Sequence, residues 1–287
     1  MNHRQSHIII LLLLLLSLCH AAVAVDSGRF AFRKFNAIDK LPIDEVRCMH
    51  QDRLGFVWIG TKSGLYRYDG FHIKSFRNTE HTPFLLPSDN ITYITDDKDC
   101  NLWIGTKNGL CCMDMRTGLT KTYHFTDFDN CDAVNRILVM SDGRMYVGTE
   151  GGLYSYSRKD DSFELLCDQR GNSKVPHSSV SCLYEGRNGM LWVGTWDRGL
   201  YRYDKRIKQW YELPPFNTQH SAQCVYEDLD GTLWVGTWGS GLYKIYNPLD
   251  TGTPLRFTNF TIDTTGGQLT SNIIWDIEHE NVTGLTW

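Results

Sequence analysis

The sequence predicts an all-β fold, a β-propeller of four-stranded blades, and three observations carry that prediction. First, one phrase recurs: FVWIGTKSGLYRYD (56–69), NLWIGTKNGLCCMD (101–114), RMYVGTEGGLYSYS (144–157), MLWVGTWDRGLYRYD (190–204) and TLWVGTWGSGLYKIYN (232–247). Second, its aromatic anchors Trp58, Trp103, Tyr146, Trp192 and Trp234 are 45, 43, 46 and 42 residues apart, the length of one blade. Third, each unit divides into short apolar and alternating runs between turn residues, four strands to a unit.

Each element follows from side-chain pattern. The residues beside the anchor are apolar (Leu102 and Ile104, Leu191 and Val193, Leu233 and Val235), while the anchor and the Gly two residues on point to the opposite face. A strand apolar or small on both faces is buried on both sides. The turn that follows, Lys-Ser-Gly, Lys-Asn-Gly or Glu-Gly-Gly, has the chemistry of a tight hairpin. LYRYD (65–69) then alternates as the next strand. EVRCMH (45–50) and NITYIT (90–95) form a strand upstream of the anchor, and HIKSF (72–76) and KTYHF (121–125) supply the fourth. One such sheet would expose two apolar faces, and only neighbouring blades cover them. The anchor aromatics and their glycines therefore build the ring and are not site residues. A sixth anchor, Trp287, follows 53 residues after the fifth, with Gly284 three residues before it.

Composition bounds the function. The chain has 287 residues, a net charge of −4 and 41% apolar residues, enough for a buried core. It shows no basic stripe, so no nucleic-acid partner is expected in this part. Residues 1–24 read as a signal peptide: an early Arg, the apolar run IIILLLLLLSL (8–18), and Ala22-Val23-Ala24 as a cleavage site. The run is too short to span a bilayer as a helix. Cys19 offers a lipoprotein alternative, but Leu18 before it is not small. Residues 25–287 are the propeller. The eight Cys outside the signal are at 48, 100, 111, 112, 131, 167, 182 and 224. Cys48, Cys182 and Cys224 lie ten residues before an anchor, where the other blades have Tyr93, Arg136 and Ile277. That recurrence favours small residues facing the neighbouring blade over a disulfide framework. Cys111-Cys112 lacks the paired spacing of a zinc site.

The pattern D-x-x-G-x-[LV]-W-[IV]-G-T-x(2,3)-G-L-Y-x-Y-[DN], seen as DRLGFVWIGTKSGLYRYD and EDLDGTLWVGTWGSGLYKIYN, closely resembles the two-component regulator propeller repeat. FAFRKFNAIDKLPIDEVRCMHQD (30–52) is similar to the entry segment of such sensors. The resemblance extends over residues 30–287. It implies the periplasmic sensor of a Bacteroides-type hybrid two-component system, followed in the parent protein by a membrane span, a histidine kinase and a receiver. It also implies an oligosaccharide ligand, control of polysaccharide-utilisation genes, and a homodimer in the intact receptor, touching the membrane only through downstream segments. The family builds seven-bladed rings. Five full blades and a sixth begun therefore imply a fragment of such a ring, an N-terminal piece or a gene cut short, with one apolar blade face left open to association. Tyr146 in place of Trp is a tolerable departure.

Features that differ between blades are the candidates for binding. Blades four and five carry one extra residue in the turn after Gly-Thr: Trp196-Asp197-Arg198 and Trp238-Gly239-Ser240. An exposed Trp suits the C–H face of a sugar, and Asp and Arg suit hydroxyls or acidic groups. The bland alternative is packing against a neighbouring loop. Arg136 is a charge where other blades have Cys, Tyr or Ile, which makes Asn135-Arg136 a channel candidate. No catalytic residue, metal site or cofactor is implied: the histidines lack metal-binding spacing, and no nucleophile elbow or phosphate loop appears. The runs 96–99 and 159–161 read as solvated charge. This chain is thus expected not to be an enzyme itself. The alternatives are a stand-alone secreted glycan-binding propeller or, less favoured, a propeller lyase or glycosidase whose acid and base come from different blades.

Overall fold

Twenty strands hold the described part of the chain, and the sequence period sorts them into five sheets of four. The computed structural model describes residues 45–78, 86–127, 131–166, 178–214, 216, 221–250 and 252–278. The signal segment 1–24, the entry segment up to residue 44, Cys167 and the sixth anchor Trp287 lie outside these residues. The chain divides into residues 1–39 and 40–287, and every strand belongs to the second unit. No described residue is helical.

The first blade is β1 (Val46–Gln51), β2 (Val57–Thr61), β3 (Gly64–Tyr68) and β4 (Ile73–Phe76). The second is β5 (Ile91–Asp96), β6 (Asn101–Thr106), β7 (Gly109–Asp114) and β8 (Thr120–Tyr123). The third is β9 (Val134–Val139), β10 (Met145–Thr149), β11 (Leu153–Ser157) and β12 (Ser162–Leu165). The fourth is β13 (Val180–Glu185), β14 (Leu191–Thr195), β15 (Leu200–Asp204) and β16 (Gln209–Leu213). The fifth is β17 (Ala222–Glu227), β18 (Leu233–Thr237), β19 (Leu242–Ile245) and β20 (Phe257–Phe260). Each sheet is an antiparallel meander in chain order. Inner strands β1, β5, β9, β13 and β17 pack side by side, so consecutive blades are neighbours. The strands inferred from the repeat are therefore the observed ones.

The core lies between blades. One apolar cluster joins blades one and two through Trp58, Ile91 and Ile104. Others join two and three through Trp103, Val134 and Val147, three and four through Tyr146, Val180 and Val193, and four and five through Trp192, Ala222 and Val235. Trp58, Trp103, Tyr146 and Trp192 are buried, as interblade anchors should be. Trp234 is half-buried and stacks on Phe260 of its own blade, because no described blade covers that face.

Close approach depends on the Gly after the anchor. A Cβ on Gly60 would lie 2.6 Å from Ile91 Cγ2, and one on Gly105 would lie 2.7 Å from Val134 Cγ1. Gly148 faces Val180, Gly194 faces Ala222, and Gly236 faces Ile274. All five inner strands also bulge at one place, between the residue that in blades two to five packs on the preceding blade's Gly and the residue two further on: Val46/Cys48, Ile91/Tyr93, Val134/Arg136, Val180/Cys182 and Ala222/Cys224. A bulge adds one unpaired residue and re-aims its side chain. These residues are Arg47, Thr92, Asn135, Ser181 and Gln223. In the sixth copy Ile274 takes the place against Gly236, so the bulge position falls on Trp275 and the next position on Asp276. Counting back from Trp287 puts Ile277 there, one residue too far.

The three recurring cysteines face the central channel as well as a neighbour. Cys48 and Cys182 lie against Gly60 and Gly194 of their own blades, and both line the channel with Cys224, Tyr93 and Arg136. Burial pushes the Cys48 and Cys182 thiols up to about 12. The seven described cysteines are all free thiols.

The run 96–99 is not simply solvated. Asp97 is buried, and its carboxylate accepts from the Asp99 and Asn101 amides at 2.8 and 3.0 Å, from Asn101 Nδ2 at 3.0 Å and from Trp103 Nε1 at 2.8 Å. Asp52 does the same for Trp58 Nε1 at 2.7 Å. The third blade changes both partners together: Met140 replaces the Asp, and Tyr146 has no indole N–H to satisfy. In the fourth, Gly186 replaces the Asp, and the buried Trp192 Nε1 has no partner among the described residues. In 159–161, Asp161 accepts from Lys121 and, at 2.6 Å each, from the Tyr123 and Tyr156 hydroxyls, tying blade two to blade three.

Two outcomes follow. Burial works to raise the Asp97 carboxyl, but the hydrogen bonds from Asn101, Trp103 and the turn amides outweigh it and hold it below the usual range. Its contribution is complete above the unfolded value near 4 and is lost as pH falls towards the lower folded value. Asp97→Ala should cost about 2–3 kcal/mol in denaturant unfolding at neutral pH, since it strands an indole N–H and turn amides. The gap to wild type should narrow as pH drops below about 4. A gap independent of pH would mean the charge of Asp97 plays no part. The channel thiols supply the second: at pH 8, Cys48 and Cys182 should react with iodoacetamide roughly a thousand-fold more slowly in the folded protein than in denaturant, read by peptide mass spectrometry.

Candidate functional site, the mouth of the channel

The inner strands wall a central cavity of about 860 Å³, closed on one side by residues 275–278. Two rings of side chains surround the end where the inner strands begin. The inner ring is the bulge set: Arg47, Thr92, Asn135, Ser181, Gln223 and Trp275. The outer ring is the first residue after each Gly-Thr: Lys62, Lys107, Glu150, Trp196 and Trp238.

Local hydrogen bonding fixes the outer ring. In every blade the Thr hydroxyl donates to a Gly carbonyl across the turn, at 2.7–3.2 Å from Thr237 and Thr149 respectively. The outer-ring amide then donates back to the entry of the inner strand: Lys107 to Asn90 O at 3.1 Å, Glu150 to Ala133 O at 2.9 Å, Trp196 to Ser179 O at 2.9 Å, and Trp238 to Ser221 O at 3.1 Å. The turns are thus held at both ends, and their side chains are aimed by backbone.

Side chains on neighbouring outer positions touch. The Trp196 and Trp238 rings are 5.3 Å apart, tilted by 50°. Trp238 meets Trp275 edge-on at 4.8 Å. These indoles are 47%, 39% and 67% exposed, a rigid aromatic row open to solvent. On the other side of the mouth, Lys107 Nζ donates to Glu150 Oε1 at 3.1 Å. Burial works to raise the Glu150 carboxyl, but hydrogen bonds from Ser179, Lys107 and Asn135 outweigh it and hold it ionised below its ordinary range. The mouth is therefore aromatic over blades four to six and charged over blades one to three.

The residues inferred from sequence fall into two groups. Trp196 and Trp238 come together on the rim. Asp197 and Arg198 are exposed beside them, with Asp197 accepting from Ser178 and the Arg198 amide donating to Thr195 Oγ1 at 3.1 Å. Asn135 is committed to an interblade strap: Nδ2 donates to Ser179 Oγ at 3.1 Å and Val180 O at 3.3 Å. Arg136 lines the channel, with its guanidinium 5.6 Å from the Tyr93 ring centroid and donating to Asn135 O at 2.9 Å. It makes no ion pair among the described residues. Sequence reasoning passed over Trp275, Lys107 and Glu150. The signal for the last two was in plain view: their position is that of the two loop tryptophans. Among the described residues no cluster could hold a metal ion.

Comparison with known proteins shows what the repeats and the fold resemble. The repeat model of the two-component regulator propeller family matches residues 40–63, 85–108 and 174–197, each running from an inner strand into the turn after Gly-Thr. A histidine kinase P4 of Formosa agariphila is 34% identical over 65 residues, 23% of this chain and 5% of the kinase. The extracellular domain of a protein described as a hybrid two component system of B. thetaiotaomicron superposes with a TM-score of 0.59 at 22% identity, covering 85% of this chain and 36% of that one. A streptogramin B lyase shares the fold with a TM-score of 0.63 at 14% identity, over 86% and 77% of the two chains. This chain therefore spans a small part of the kinase and about a third of the solved extracellular domain of the two-component protein. The chain is a β-propeller that carries three stretches similar to the two-component regulator propeller repeat.

Proposed function

We propose that this chain is the ligand-sensing propeller of a hybrid two-component receptor, exported to the periplasm, and that it binds an oligosaccharide at the mouth of its channel. The observation that carries the reading is the exposed row Trp196, Trp238 and Trp275. Three solvent-facing indoles, two of them on turns held by backbone hydrogen bonds, are costly to leave bare in water. Their flat faces match the C–H face of a pyranose, while Asp197, Arg198, Lys107 and Glu150 beside them offer partners for hydroxyls. The repeat family and the segment similar to a histidine kinase support a role in signal transduction. In this reading the kinase, receiver and membrane span belong to other parts of the receptor. Binding shifts paired sensors across a homodimer, and the output is expression of polysaccharide-utilisation genes. The propeller itself does no phosphotransfer.

The test is binding by titration calorimetry with a panel of plant and microbial oligosaccharides. One or more should bind, and Trp238→Ala, which removes the middle ring of the row, should weaken that binding at least ten-fold. The melting temperature of the free protein should shift by only a few degrees, because the ring is partly exposed. Unchanged affinity in both Trp196→Ala and Trp238→Ala would place the ligand elsewhere.

A further inference from the structure

Resting on that reading, we infer that the charged half of the mouth selects the ligand: Lys107 and Glu150 form a site for an unmodified vicinal diol of a neutral saccharide whose ring lies on Trp196. The placement comes from the outer ring. Lys107, Glu150, Trp196 and Trp238 are successive equivalents around the mouth. Lys107 and Glu150 touch at 3.1 Å, and Trp196 and Trp238 at 5.3 Å between ring centroids. Ser179 joins the two halves. Its carbonyl accepts the Trp196 amide, and its side chain is hydrogen-bonded to Glu150 and to Asn135. The carboxylate therefore sits at the edge of the aromatic platform, where the equatorial hydroxyls of a stacked sugar would point.

The chemistry is complementary. Lys107 is a three-donor cation with one donor spent on Glu150. Glu150 is an ionised acceptor with lone pairs left over. A donor and an acceptor side by side suit two adjacent hydroxyls, one accepting from Lys107 and the next donating to Glu150. A carboxylate or sulfate in that place would meet Lys107 but also lie against the Glu150 carboxylate, whose like charge offsets that attraction. An alkylated or acylated diol would lose its donor, so a lone pair of Glu150 taken out of water would gain no hydrogen bond from the ligand. Such a polar pair rejects a ligand lacking its partner far more strongly than an apolar platform can. Asn135 is a positioning residue, holding Ser179 and Glu150 in place across the interblade strap.

The full chain should be titrated with xylo-, manno-, cello- and arabino-tetraose, tetragalacturonate, a sulfated tetrasaccharide, and the per-O-methylated form of whichever neutral sugar binds best. A neutral sugar should bind, its methylated form should bind at least ten-fold more weakly, and the two acidic sugars should bind no better than the methylated one. Glu150→Gln, nearly isosteric, should weaken the neutral sugar ten-fold or more, with a melting temperature lowered by no more than a few degrees, and narrow its advantage over the methylated form. Stronger binding of either acidic sugar overturns this inference and leaves oligosaccharide sensing standing. So does a Glu150→Gln protein with wild-type affinity and discrimination. Binding by none of the panel overturns the oligosaccharide reading and this inference with it.

Discussion

The contact between a glycine and the neighbouring blade is what the rest of the structure depends on. Gly60, Gly105, Gly148 and Gly194 each face a residue of the next inner strand, and Gly236 faces Ile274, at distances that leave no room for a Cβ. That closeness lets five short sheets share interblade cores, none of which one blade could build alone. It also imposes the bulge. A residue that must lie flat on a glycine, followed two positions later by one that faces the channel, needs an extra residue between them in the inner strand. The side chain of that extra residue is used between blades in Asn135, which bonds Ser179 and Val180 O, and in Ser181, which bonds Ala222 O, whereas Trp275 at the same position opens onto the mouth. The site is in this sense a by-product of how the blades pack.

A propeller repeats its backbone but not its chemistry. The outer ring reads Lys62, Lys107, Glu150, Trp196, Trp238, each on the same turn held by the same Thr, and the last four are returned to the same place on the inner strand. The scaffold fixes where five side chains go, and the sequence is left to choose what they are. The choice is segregated: charge on one side, indole on the other. Random assortment around the ring would scatter them, and neither Lys107–Glu150 nor Trp196–Trp238 would then be in contact. The extra residue in the turns of blades four and five adds to the asymmetry by carrying the larger side chains beyond the interblade core.

Much of this was legible in the sequence. The 42–46-residue period, the small residue two after the anchor and the hairpin turns contain the sheets and their order, because β-pairing within a meander is local. Trp196 and Trp238 were legible because their turns are one residue longer than the rest. Other features were not. Asp97 looks like part of a charged turn, and only the fold brings Trp103 Nε1 to its carboxylate. Glu150 sits in an ordinary Glu-Gly-Gly turn, and only the ring sets it beside Lys107 from another blade. Trp275 was hidden by counting: the sixth copy is one residue out of step with Trp287, which moves the channel position from Ile277 to Asp276 and the bulge to Trp275. Contacts within a blade follow from spacing, whereas contacts between blades require the curvature of the ring.

The same curvature bears on how such a site could report occupancy. The tryptophans belong to different blades, and so do Lys107 and Glu150, so a ligand across the mouth touches several blades at once. Each blade is a stiff sheet, and the compliant element is the angle between neighbours, set by the glycine contacts and by straps such as Asn135 to Ser179. A rigid ligand bridging blades three to five would bias that angle, whereas one confined to a single blade would not. Under the proposed binding mode, occupancy would thus be coupled to the relative tilt of blades, a coordinate that an attached domain would read without any chemistry in the propeller itself.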